Sequence, residues 1–180
     1  MVGFPFICRY SSSSLLLLPK DQYFQTHLSL SQEDAYQLHI KYYKDYGLAI
    51  EGLVRHHKVD PLEYNRQVDD ALPLEDVITP DPQLRRLLED IDQTKVKLWL
   101  FTNAYITHGQ RVVRLLGVED LFEGITYCDY GAEKFLCKPA PDMFAKAMRE
   151  AGTTSAEDCY FVGVYNVLHE RCRVVDSASR

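Results

Sequence analysis

Apolar positions along the chain change their period, and the changes divide it. From Leu28 to Tyr46 they recur at helical spacing. Ser31 stands where a cap belongs, Asp34 follows three residues on, and Ala35, Leu38, Tyr42 and Tyr46 come at steps of three and four. Gly47 closes that helix. Asp60-Pro61-Leu62-Glu63 is a second start, with a cap, a proline at the first helical position and an acid at the third. Val68 and Leu72 carry its apolar face to Pro73. Residues 22–79 are therefore expected to form a small all-helical unit, preceded at 1–21 by an atypical tail.

A third helix is predicted from Asp81-Pro82, where Leu84, Leu87, Leu88 and Ile91 form the stripe of a helix docked on a core. The period then changes. Val96 to Phe101 is a nearly unbroken apolar run with Trp99 inside, suited to a strand covered on both faces. A helix from about Thr107 to Leu116 with Gly117 as its stop comes next, followed by a strand at Gly124–Cys128. The helix Pro141–Ala151, with Phe144, Ala147 and Met148 inward, ends at Gly152, and Cys159–Val162 reads as a third strand. Helix and strand in alternation predict an α/β fold with a parallel sheet over 80–162.

Composition narrows the function. At 180 residues the chain has room for one domain, or a core with an appendage. A formal net charge of −6 argues against a nucleic-acid partner, and no apolar run approaches the ~20 residues that cross a bilayer. Ser11–Ser14 and Leu15–Leu18 imitate a targeting segment, but that apolar run is four residues against the ~7–15 of a secretory core. Cys8, Cys128, Cys137, Cys159 and Cys172 are scattered without a Cys-x-x-Cys, so reduced thiols are expected. That fits a cytoplasmic location, with a nuclear one also open. His169 and Cys172 stand three apart with no second pair nearby, so no zinc site is expected.

Ligands of parallel sheets bind at the carboxyl ends of the strands. Thr102-Asn103-Ala104 falls there, where a hydroxyl, an amide and turn N–H groups can donate to a phosphate or carboxylate. By themselves these residues read as turn and cap chemistry. Lys138, between Cys137 and Pro139 and just before a helix, can neutralise an anion as a point charge or simply be solvated. Asp142 reads as a first-turn acid of that helix.

Taken in order, Leu100-Phe101-Thr102-Asn103-Ala104, Cys137-Lys138-Pro139-Ala140-Pro141-Asp142-Met143-Phe144 and the Cys159–Val162 segment resemble the haloacid dehalogenase superfamily of phosphohydrolases. Tyr43-Lys44-Asp45-Tyr46-Gly47-Leu48, Ile50-Glu51-Gly52-Leu53 and Thr126-Tyr127-Cys128-Asp129-Tyr130 are similar to its fungal pyrimidine 5′-nucleotidase branch. The resemblance implies a Rossmann-like parallel core over 80–162 and a helical cap over 22–79. It also implies a small phosphorylated metabolite, a nucleotide, as partner. By matching position Thr102, Asn103 and Lys138 become phosphate-binding residues, with magnesium as the family's cofactor and an aspartate as its nucleophile.

Two of the family's motifs are not at their expected places. The nucleophile strand should end in Asp-x-Asp-x-Thr before the cap, yet no acid precedes Asp21. The metal-binding acids should follow Phe161-Val162, where Gly163 and Val164 stand, and 163–180 is an atypical tail. Asp90-Ile91-Asp92-Gln93-Thr94 spells the nucleophile pattern, but it ends a helix rather than a strand, so surface acids are expected there. Asp176 is a lone late acid. No catalytic residue and no metal ligand is therefore assigned, and magnesium would find too few hard oxygen ligands. The expectation is a truncated or aberrant relative with impaired catalysis. The alternatives are a non-catalytic protein binding through Thr102 and Lys138 or the helix around Tyr42, Tyr43 and Tyr46, or an active phosphatase using Asp90.

Overall fold

The computed structural model describes residues 19–162. The expectations for Ser11–Leu18, Cys8, Gly163, Val164, His169, Cys172 and Asp176 lie outside these residues. The chain divides into two units, one of residues 19–72 with 130–135, the other of residues 73–129 with 136–162.

The first unit is helical: α1 (Pro19–Leu28), α2 (Gln32–Tyr46), α3 (Ala49–His57) and α4 (Pro61–Tyr64). Local chemistry sets their ends. The Ser31 hydroxyl accepts from the Asp34 N–H, and Gly47 leaves α2 at φ 79°, a left-handed conformation that costs glycine nothing. Asp60 caps α4 by accepting from the Glu63 N–H. Beyond Tyr64 the helix widens into a π turn over Asn65–Asp69, and Val68 is buried there as its spacing predicts. Phe24, Ala35, Tyr42, Ile50, Leu53 and Tyr64 are also buried in this unit.

The second unit holds α5 (Pro82–Glu89), β1 (Trp99–Phe101), α6 (Ile106–Leu115), β2 (Gly124–Thr126) and α7 (Pro141–Ala151). Strands β1 and β2 are parallel, with Trp99 opposite Gly124 and Phe101 opposite Thr126. Residues alternate across the sheet as the pleat requires. Leu98 and Leu100 face a cluster with Leu88, Val113 and Val118, while Phe101 faces Met143 and Ala147 of α7. The parallel α/β architecture expected from the sequence is present.

Three expectations are corrected. The first strand is shorter than Val96–Phe101, because the Val96 and Lys95 N–H groups both turn back to the Asp92 carbonyl, leaving Val96 exposed. Cys159–Val162 is not a strand. A 3₁₀ turn at Ala156–Asp158 draws the Cys159 N–H to the Ala156 carbonyl, and Val162 makes only an isolated bridge. Leu87 is 64% exposed, so the α5 stripe rests on Leu84, Leu88 and Ile91. On α7, Met143 is fully buried beside Ala147, an inward position the spacing did not single out. Among the described residues no helix is long and apolar enough to cross a membrane.

Candidate functional site

Thr102 continues the β1–β2 ladder by one rung: its N–H donates to the Thr126 carbonyl at 2.9 Å. Its hydroxyl accepts from the Ala104 N–H at 3.0 Å, which curls the chain toward α6. The Asn103 side chain reaches across to the loop before α7. Its Oδ1 accepts from the Lys138 N–H at 2.7 Å, and its Nδ2 donates to the Lys138 carbonyl at 2.9 Å. The Lys138 ammonium donates to the Phe101 carbonyl at 2.8 Å. It lies 4.6 Å from the centre of the Phe101 ring and 5.8 Å from that of Phe161, within cation–π range. Three residues chosen from two distant stretches of sequence thus meet at the carboxyl end of β1.

A feature the sequence reading passed over holds the other side. Gly109 sits in the middle of α6, and a Cβ there would lie 3.0 Å from the Ile125 side chain and 3.4 Å from the Thr102 methyl. Its lack of a side chain lets α6 close on the sheet behind Thr102. The signal available was a lone glycine inside a helical pattern. A cavity of about 100 Å³ opens here, with Thr102, Ala104, His108 and Gly109 among its lining residues.

The end of β2 is fixed by a second network. The Trp99 indole N–H donates to the Thr126 hydroxyl at 2.9 Å, and that hydroxyl donates to Glu150 at 2.6 Å. The Lys146 ammonium donates to the Tyr127 carbonyl at 3.0 Å and lies 5.0 Å from the ring centre. Partial burial, followed by the nearby Asp129, Tyr105 and Glu150, pushes the Tyr127 hydroxyl above its ordinary pKa.

The other candidates separate by environment. Asp90 is the C-terminal cap of α5, and Asp92 accepts from the Thr94 N–H and hydroxyl and pairs with Lys95 at the surface. In the helical unit Tyr42 is buried, its hydroxyl 2.8 Å from His57 Nε2, whereas Tyr43 is half-exposed. The Tyr46 hydroxyl meets His56 Nε2 at 2.7 Å, and Arg55 covers the Tyr46 ring while bonding Glu51.

Chemically, the Thr102 hydroxyl and the Lys138 ammonium can donate to an anion, and the Asn103 amide ties together the two loops that carry them. Magnesium requires several hard oxygen ligands. Among the described residues no group of three or more acids, histidines or cysteines is placed to hold a metal ion. The described site does not fit magnesium.

The chain matches the family described as a hydrolase, haloacid dehalogenase-like hydrolase, over residues 13–163. It is similar to phosphate metabolism protein 8 of Saccharomyces cerevisiae, with 40% identity over 164 residues, 86% of this chain and 51% of that protein. The chain spans about half the length of that curated relative.

Proposed function

The chain belongs to the haloacid dehalogenase-like hydrolases, and from that membership we propose that it recognises the phosphoryl group of a small phosphomonoester, a nucleoside monophosphate of the pyrimidine 5′-nucleotidase branch. The observation that carries this reading is the meeting of Thr102, Asn103 and Lys138 at the carboxyl end of β1. The name of the similar yeast protein, which speaks of phosphate metabolism, supports a phosphorylated ligand. Residues 22–79 serve in this reading as the helical cap and 80–162 as the core. The buried thiols of Cys128 and Cys137, neither in a disulfide, support a reducing, cytoplasmic or nuclear setting.

We further propose that hydrolysis is impaired in this sequence. Phosphoryl transfer through an aspartyl intermediate needs a carboxylate aimed at phosphorus. The single Asp-x-Asp-x-Thr of the chain ends a helix, with its second acid tied to Thr94 and Lys95. Binding without turnover follows. Purified protein is assayed with p-nitrophenyl phosphate and magnesium, and separately melted with and without inorganic phosphate. No turnover, with phosphate stabilisation abolished in Lys138→Ala, is the expected result. Turnover that vanishes in Asp90→Ala would refute the impairment. An unchanged melt in phosphate refutes the anion site.

A further inference from the structure

We propose that Asn103 is a positioning residue that works through Lys138 and does not itself contact the anion. The inference rests on the anion-site reading above. An asparagine amide carries an acceptor and a donor in one plane, as a peptide group does. Here the acceptor takes the Lys138 N–H at 2.7 Å and the donor reaches the Lys138 carbonyl at 2.9 Å. The side chain therefore pairs with the lysine's backbone as a neighbouring strand would. It joins the loop after β1 to the loop before α7.

The effect on the ammonium is mechanical. A lysine stem has four rotatable carbons and loses considerable rotamer freedom when its head is fixed. Asn103 fixes the root of that stem from both sides. The head is then received by the Phe101 carbonyl at 2.8 Å, with the Phe101 and Phe161 ring centres at 4.6 and 5.8 Å. Phe101 immediately precedes Thr102, so the staple holds the positive charge one residue from the hydroxyl it is meant to assist. With its Oδ1 and one of its two Nδ2 N–H groups turned to Lys138, Asn103 is placed to act on a ligand through that lysine.

A double-mutant cycle separates positioning from direct contact. Inorganic phosphate is titrated into the full chain and its Asn103→Ala, Lys138→Met and doubly substituted forms by calorimetry. Asn103→Ala is expected to weaken binding about tenfold when Lys138 is present, as loss of two ordering hydrogen bonds implies. It should change affinity less than about twofold in the Lys138→Met background. Equal losses in both backgrounds overturn the proposal and make Asn103 a direct ligand, and no loss in either overturns it too. Should Asn103→Ala lack a cooperative melt, Asn103→Ser enters the same cycle. If the unaltered chain binds no phosphate, the anion site falls, and exchange of the Lys138 amide proton still judges the staple. Faster exchange in Asn103→Ala upholds it, and an unchanged rate refutes it.

Discussion

Gly52 in α3 offers the sharpest test of how the helical unit is held together. A Cβ built at Gly52 would fall against the ring of Tyr42, 2.6 Å from Cδ1 and nearer still to Cγ and Cδ2. These are ring atoms near the root of a short side chain, so the clash cannot be relieved by moving a flexible tip. Tyr42 is boxed in: the Phe24 ring centre lies 6.2 Å away, His56 stacks on it at 5.5 Å, and its hydroxyl meets His57 Nε2 at 2.8 Å. Gly52→Ala must therefore push the ring out of this box. Overpacking costs about 1–3 kcal/mol. The displaced hydroxyl bond and aromatic contact add about 1 kcal/mol each. The better helix propensity of alanine returns about 1 kcal/mol, leaving a net loss of about 2–4 kcal/mol. Urea unfolding followed by circular dichroism measures it. The double variant Gly52→Ala/Tyr42→Leu, which removes the ring, should be more stable than Gly52→Ala alone. A Gly52→Ala protein as stable as the unaltered chain would refute this packing.

Two further outcomes are expected. Thr126→Val leaves the Trp99 indole N–H and Glu150 without their shared hydroxyl, at a cost of about 1–3 kcal/mol; Trp99 is the only tryptophan, so its fluorescence maximum should shift, and an unmoved spectrum with unchanged stability contradicts the network. Burial pushes His39 below the ordinary 6.5, outweighing the opposite pull of Asp21 at 2.7 Å, so folding favours its neutral form. Its contribution to stability is full above pH 6.5 and is lost as pH falls from there through the lower folded value, because the unfolded chain takes up a proton first. The urea midpoint should drop more between pH 7.5 and pH 5.5 in the unaltered chain than in His39→Gln. A smaller drop would show that pairing with Asp21 dominates.

What was legible in the sequence was what neighbouring residues decide. The bounds of α7 follow from Pro141 at its first turn and Gly152 at φ 79°, and those of α2 from Ser31 and Gly47. Strand ends were not legible, because a strand exists only where a partner pairs with it. Val96 and Cys159 have strand-like side chains, yet their N–H groups are taken by local turns at Asp92 and Ala156. The site divides in the same way. Thr102 and Lys138 could each be named from their place beside a strand and before a helix, whereas the pairing of Asn103 with Lys138 spans 35 positions. Only the folded chain brings that amide to that peptide group. Gly109 was visible as a glycine in a helix, but its purpose lies in the Ile125 and Thr102 atoms it admits.

The proposed separation of binding from covalent chemistry has a physical basis in where the three residues are anchored. The Thr102 N–H bonds the Thr126 carbonyl, the Lys138 ammonium bonds the Phe101 carbonyl, and Asn103 bonds the Lys138 backbone. Every one of these contacts ends on a main-chain group of β1, β2 or the loop before α7. These contacts tie the three residues to the backbone of the fold. Electrostatics then favours a free anion. Thr102, Asn103 and Lys138 bring one positive charge and no negative one. A carboxylate facing a phosphate oxygen at ~4 Å would oppose it by about 4 kcal/mol at an effective dielectric of ~20. In a site that carries such acids, a divalent cation offsets that repulsion before phosphate can settle. These three residues impose no such requirement, and that is the physical ground on which we propose that phosphate affinity can persist without turnover.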